Sequence, residues 1–126
     1  MTDDVFARGL AVRRDMWGAE GAEKQIEAAT DFTRPMQDMV TRYCFGETWT
    51  NPTLSRKTRS MITLAILVAL GKPHELKVHV RGALSNGVTK DEIRDVLMHA
   101  MIYCGVPAAV EAIRNAAEVL KERGLE

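Results

Sequence analysis

Ser60 to Leu70, SMITLAILVAL, is apolar at nearly every position and contains neither proline nor glycine. A helix built from such a run has no face suited to water, so it belongs in the middle of a protein. At about ten residues the run is well short of the roughly 20 needed to cross a bilayer. It is followed at once by Gly71-Lys72-Pro73, a break that starts a new helix. There Leu76, Val80, Ala83 and Leu84 form a buried stripe, with Lys77, Arg81 and Ser85 on the wet side. Glu75 and His79, four residues apart, share a face of that helix. A central apolar helix thus leads straight into a segment carrying an ionisable pair, which is the candidate site.

The rest of the chain reads as helices around that centre. Thr2 or Asp3 can cap a first helix running to Trp17, with Val5, Gly9, Val12 and Met16 on one side and Gly18 at its end. A short helix spans about 22–29. Pro35 opens another, in which Met36, Met39, Val40 and Tyr43 recur at helical spacing and which Gly46 is expected to end. An irregular loop, 47–52, then leads to a strongly basic helix start at Arg56, Lys57 and Arg59. Cations there oppose the helix dipole, which suggests that an anion or an acidic neighbour engages them, with a solvated basic turn as the equal alternative for Lys57. Thr89-Lys90-Asp91-Glu92 is a capping box. The helix that follows is apolar along Ile93, Val96, Leu97, Ala100, Met101 and Cys104, and again at Met98 and Ile102, which calls for a partner subunit. Gly105-Val106-Pro107 starts the last helix. No segment alternates as a strand does. The expected class is all-α, a single domain over 1–126 with six or seven helices.

Seventeen basic and seventeen acidic side chains cancel, which leaves no basic field for nucleic acid. The acidic start MTDDVFARGL lacks a signal-peptide core, and the expected address is cytoplasmic, with no membrane association. Cys44 and Cys104 form no CxxC and lie on apolar stripes, so they read as buried reduced thiols. His74, His79 and His99 make no metal-ligand spacing, so no metal is expected.

The chemistry these residues offer is acid–base. Glu75 can orient the His79 ring and, as an opposite charge, is expected to raise its pKa. Glu47 and Trp49, if their loop folds over His79, supply a second carboxylate and an apolar wall. Arg56 and Arg59 can bind a substrate carboxylate bidentately. His99 and Tyr103, one turn apart, read as a buried hydrogen-bonded pair, with substrate binding as the other role.

FGETWTNPTLSRKTRSMITLAILVALGKPHELKVHVRGALSNGVTKDEIRDVLMHAMIYCGVPAA strongly resembles the carboxymuconolactone decarboxylase family, as do DFTRPMQDMVTRYCFGETW and RGLAVRRDMWG upstream. The resemblance implies an alkyl hydroperoxidase D-like helical subunit that assembles as a homo-hexamer, a trimer of dimers. It implies a decarboxylase with no cofactor that converts 4-carboxymuconolactone, a small carboxylated lactone, to the β-ketoadipate enol-lactone in the protocatechuate branch of the β-ketoadipate pathway. His79 would be the catalytic acid, tuned by Glu75 or Glu47, with Arg56 or Arg59 on a substrate carboxylate and Trp49 excluding water. The related peroxidase branch places a CxxC one turn before its histidine. Lys72 and Glu75 hold those places here, so a thiol relay lacks its nucleophile. The other alternative is an oligomeric ligand-binding or scaffold protein without decarboxylase activity.

Overall fold

Two glycines set the close crossing at the heart of the N-terminal unit. The computed structural model describes residues 3–126; the cap expected at Thr2 lies outside them. It forms two compact units, one reaching Arg56 and the other running from Lys57 to Glu126. The first contains α1 (Asp3–Trp17), a single 3₁₀ turn (Ala19–Gly21), α2 (Glu23–Glu27) and α3 (Arg34–Met39). α3 does not stop. It continues as a π-helix over Val40–Thr48, with the Trp49 amide donating to the Cys44 carbonyl, five residues back, at 2.9 Å.

Gly46 therefore does not end this helix, contrary to expectation. Its φ is not positive, and neither is that of Gly9. Both are needed for space. A Cβ on Gly9 would fall inside the shell of the Thr41 carbonyl oxygen, and one on Gly46 inside that of Val5. Around this crossing Val12, Met16 and Phe45 form a small core. Trp17 meets Phe45 edge-on at 5.5 Å, and Trp49 stacks on Phe45 at 5.6 Å. Arg13 is also buried, only 6% exposed. Its Nε donates to the Gly21 carbonyl at 2.8 Å, and its terminal nitrogen donates to Gln37 Oε1 and Thr41 Oγ1, each at 2.9 Å. Burial pushes this guanidinium below its usual pKa.

The second unit holds nearly all of α4 (Arg56–Leu70), with α5 (Pro73–Ser85), α6 (Lys90–Cys104) and α7 (Val106–Glu122). Leu64, Val68, Leu76, Val80, Ile93, Leu97 and Val119 lead its core. The capping box is present: Glu92 N donates to Thr89 Oγ1 at 3.1 Å, and Thr89 N to Glu92 Oε1 at 2.9 Å. Asn86 donates to the buried Ser60 hydroxyl at 3.0 Å, fixing the end of α5 against α4. Ion pairs Lys77–Glu118 and Arg81–Glu122 tie α5 to α7. The all-α class with seven α-helices is as expected, and no strand occurs among the described residues.

α4 differs from its reading as a helix buried all round. Ser60, Leu64 and Val68 are buried, one turn apart, whereas Ile62, Ile66 and Leu70 are exposed. The neighbours in its own unit cover one side, and the other apolar side remains outside.

Candidate active site

α5 presents His79 from its apolar stripe, between Leu76 and Val80, which are fully buried. The imidazole is itself largely buried, with Nδ1 shielded from solvent. Burial pushes its pKa below the ordinary histidine value. The Glu75 charge, one turn back, pulls upward and is outweighed. The expected rise is thus reversed, because Glu75 is exposed and its field is screened by water, while the loss of hydration at the ring is not. Near neutrality His79 is an uncharged imidazole with one donor and one acceptor nitrogen.

The basic start of α4 finds acidic neighbours. Arg56 pairs with Asp15 at 2.9 Å and Lys57 with Glu92 at 3.0 Å. Arg59 is half-buried and its Nε is shielded from water, where a guanidinium–carboxylate bond is stronger than at the surface.

Glu47 and Trp49 belong to the N-terminal unit. They lie at the end of the π-helix rather than in an irregular loop: Glu47 is exposed, and Trp49 is half-buried on Phe45. In the other unit, α6 brings the rings of His99 and Tyr103 to 5.3 Å. This pair is not buried as expected. His99 is exposed and Tyr103 is 77% exposed, on the side of α6 that its own unit leaves uncovered. His99 borders an open groove of about 680 Å³ between α4 and α6, floored by Met61 and Ala65 and rimmed by Glu92 and Asp95. Asp95 and Glu92, the latter paired with Lys57, give this groove acidic lining, which disfavours a carboxylate ligand.

The thiols also depart from expectation: Cys44 is exposed and Cys104 only half-buried, and both are free. Among the described residues no group of three or more His, Cys, Asp or Glu side chains could hold a metal ion. None of their helices is long and apolar enough to cross a membrane. Sequence reasoning missed Arg13. The signal was there, since Gly9, Arg13 and Met16 follow one another at helical spacing on the buried side of α1.

Comparison with known proteins decides the family. The carboxymuconolactone decarboxylase family model matches residues 34–118, which takes in Glu47, Trp49, Arg59, Glu75 and His79. The chain belongs to the carboxymuconolactone decarboxylase family. It is 39% identical to a 4-carboxymuconolactone decarboxylase of Acinetobacter baylyi over 95% of its own length and 90% of the relative's. It is 43% identical to a nitrosuccinic acid decarboxylase of Metarhizium robertsii, over 86% of its length and 76% of that protein's. An uncharacterized 15.0 kDa protein of Paracoccus denitrificans is 34% identical over 65% of the chain. Both relatives with named activities are decarboxylases.

Proposed function

We propose that this chain is a decarboxylase that converts 4-carboxymuconolactone to the β-ketoadipate enol-lactone and CO2 without a cofactor. The observation that carries this reading is the 39% identity to the Acinetobacter enzyme, which extends over nearly the full length of both proteins.

In the reaction the bond from ring carbon to carboxylate breaks, and its electron pair passes into the conjugated lactone carbonyl. Hydrogen-bond donors aimed at the resulting oxyanion contribute roughly 2.7–4 kcal/mol each. A proton must then reach carbon, and His79 is the group proposed to deliver it, regaining its proton from solvent. The low pKa of the ring suits it to give the proton up. A bound dianionic substrate, as an opposite charge, favours loading the ring beforehand. Glu75 orients the ring. Arg59, or Arg56 once released from Asp15, holds a substrate carboxylate. Glu47 and Trp49 serve as a second carboxylate and an apolar wall that excludes water, which favours loss of the charged carboxylate as neutral CO2. The assembly is proposed as a homo-hexamer, a trimer of dimers, supported by the exposed apolar residues Ile62, Ile66, Leu70, Met98 and Ile102. The enzyme would work in the cytoplasm, in the protocatechuate branch of the β-ketoadipate pathway.

A second reading is favoured by the 43% identity to the Metarhizium protein. Nitrosuccinate can lose the carboxylate beside its nitro group because the electron pair is taken up as a nitronate, and the same imidazole can then protonate carbon. Offering the purified protein each acid separately and measuring CO2 decides between them. Release from the lactone is expected. Release from nitrosuccinate alone would move the assignment to the nitro acid. Release from neither would leave a ligand-binding or scaffold member of the family.

A further inference from the structure

The π-helix over Val40–Thr48 changes which residues face α1. An α-helix advances 100° per residue, whereas i→i+5 bonding advances roughly 82°. Measured from buried Thr41, the α progression would put Thr48 back on the α1 face and Gly46 well off it. In the structure Phe45 and Gly46 are both buried, and Cys44, Glu47 and Thr48 are exposed, as the slower winding requires. Six such steps separate Thr41 from Glu47, so the direction of the Glu47 side chain differs by about 110° between the two windings.

The features that select the slow winding are on the same face. Gly46 meets the Val5 carbonyl and Gly9 meets the Thr41 carbonyl, contacts that leave no room for a Cβ. Thr41 Oγ1 donates to the Gln37 carbonyl at 2.7 Å and accepts from Arg13 at 2.9 Å, which pins the helix where the winding changes. Downstream, Thr50 Oγ1 donates to the Gly46 carbonyl at 2.6 Å. Single π turns are commonly found at functional sites, and nine residues of π winding that end at a carboxylate and a tryptophan are an unusual extent of it.

From this we infer that Gly9, Arg13, Thr41 and Gly46 are positioning residues for decarboxylation: they hold the π winding, and the winding aims the Glu47 carboxylate. The inference rests on the reading that Glu47 serves the reaction. The two can fail separately in a double-mutant cycle of Gly46→Ala and Glu47→Gln, with kcat and KM measured on protein whose helicity and oligomeric state match the parent. Glu47→Gln is expected to lower kcat. Gly46→Ala, which forces the crossing apart, is expected to lower it about 10²-fold with a smaller change in KM, the loss typical of a misplaced catalytic group. In the Glu47→Gln background Gly46→Ala should then add little, since there is no carboxylate left to misdirect.

Parent-level kcat in Glu47→Gln removes the Glu47 reading, and this inference with it. Reduced kcat in Glu47→Gln, with parent-level kcat in Gly46→Ala or with fully multiplicative losses in the double variant, overturns the inference alone. Should Gly46→Ala not fold, Thr41→Val and Thr41→Ser carry the same test. Val keeps the branched shape without the hydroxyl bonds and should lose kcat, whereas Ser should retain it. Equal activity in the two overturns the inference.

Discussion

The two units are held together by different physics. In the C-terminal unit the core is Leu, Val, Ile and Ala on four helices, and its polar ties, Lys77–Glu118 and Arg81–Glu122, lie at the surface. In the N-terminal unit the apolar core is small, and the structure depends on two glycines, a π-helix and an arginine buried among neutral acceptors. Oily packing degrades gradually as groups are removed. A close backbone crossing and a buried polar network fail through single atoms, added or taken away. The unit with less hydrocarbon is therefore expected to be the more exacting in sequence.

The largest expected effect is catalytic. His79→Ala should lower kcat by about 10²–10⁴-fold, the range for loss of a general acid, with the assembly intact by size-exclusion chromatography. Full activity would remove His79 from the mechanism. The pH profile of kcat/KM sharpens this. If protonated His79 is the donor, kcat/KM should fall as pH rises through a value lowered from that of an ordinary histidine. A fall on the acid side instead would mean that the neutral ring is the working form. The same shift has a stability sign. The unfolded chain takes up a proton at ordinary histidine pKa while the folded chain resists it, so the His79 contribution is present above about pH 6.5 and is lost as pH falls through the folded value.

Stability then compares the units directly. Leu64→Ala, at a fully buried position, should cost about 2–5 kcal/mol by denaturant unfolding, depending on how far the site collapses. Gly9→Ala adds one methyl, yet it should cost about 1–3 kcal/mol or more, because the atom it meets is backbone and cannot turn aside. Arg13→Met, which keeps the stem and removes the donors to Gly21, Gln37 and Thr41, should cost about 1–3 kcal/mol. A Gly9→Ala protein as stable as the parent would show that the crossing yields, and that the two units are not so different.

The same contrast explains what could be read from the chain. The C-terminal helices were legible because their limits are written in local chemistry: Gly71-Lys72-Pro73 breaks, Thr89 and Glu92 cap, and Leu76, Val80 and Ala83 repeat with the helical period. The N-terminal unit departs from expectation at Gly46 and Cys44, each for its own reason. Glycine signals a helix end when only its own chain is considered, and the carbonyl of Val5 that needs its bare Cα lies 41 residues earlier. Cys44 sits on an apolar stripe at 100° per residue, and the slower π winding turns it out to solvent. On α4 the run is apolar on every side, so its sequence shows no buried face, and it does not say how many neighbours cover the helix. His79 stands out in the sequence through Glu75 one turn back and the Gly71-Lys72-Pro73 break before it. Its pKa was misjudged because Glu75 is visible in sequence and the dryness around the ring is not.

The smallest expected effect is the control for the whole comparison. Lys77 on α5 pairs with Glu118 on α7, with 30% and 64% of the two side chains exposed. Water screens such a pair, and fixing two long side chains in one geometry offsets much of the attraction, so Lys77→Ala should cost only about 0.2–1 kcal/mol. Added salt should narrow the gap between parent and variant, since the parent loses its ion pair to screening while the variant has none to lose. A loss of several kcal/mol that persists at high salt would mean that polar ties also carry the C-terminal unit. The division between an oily half and an exacting polar half would then fail.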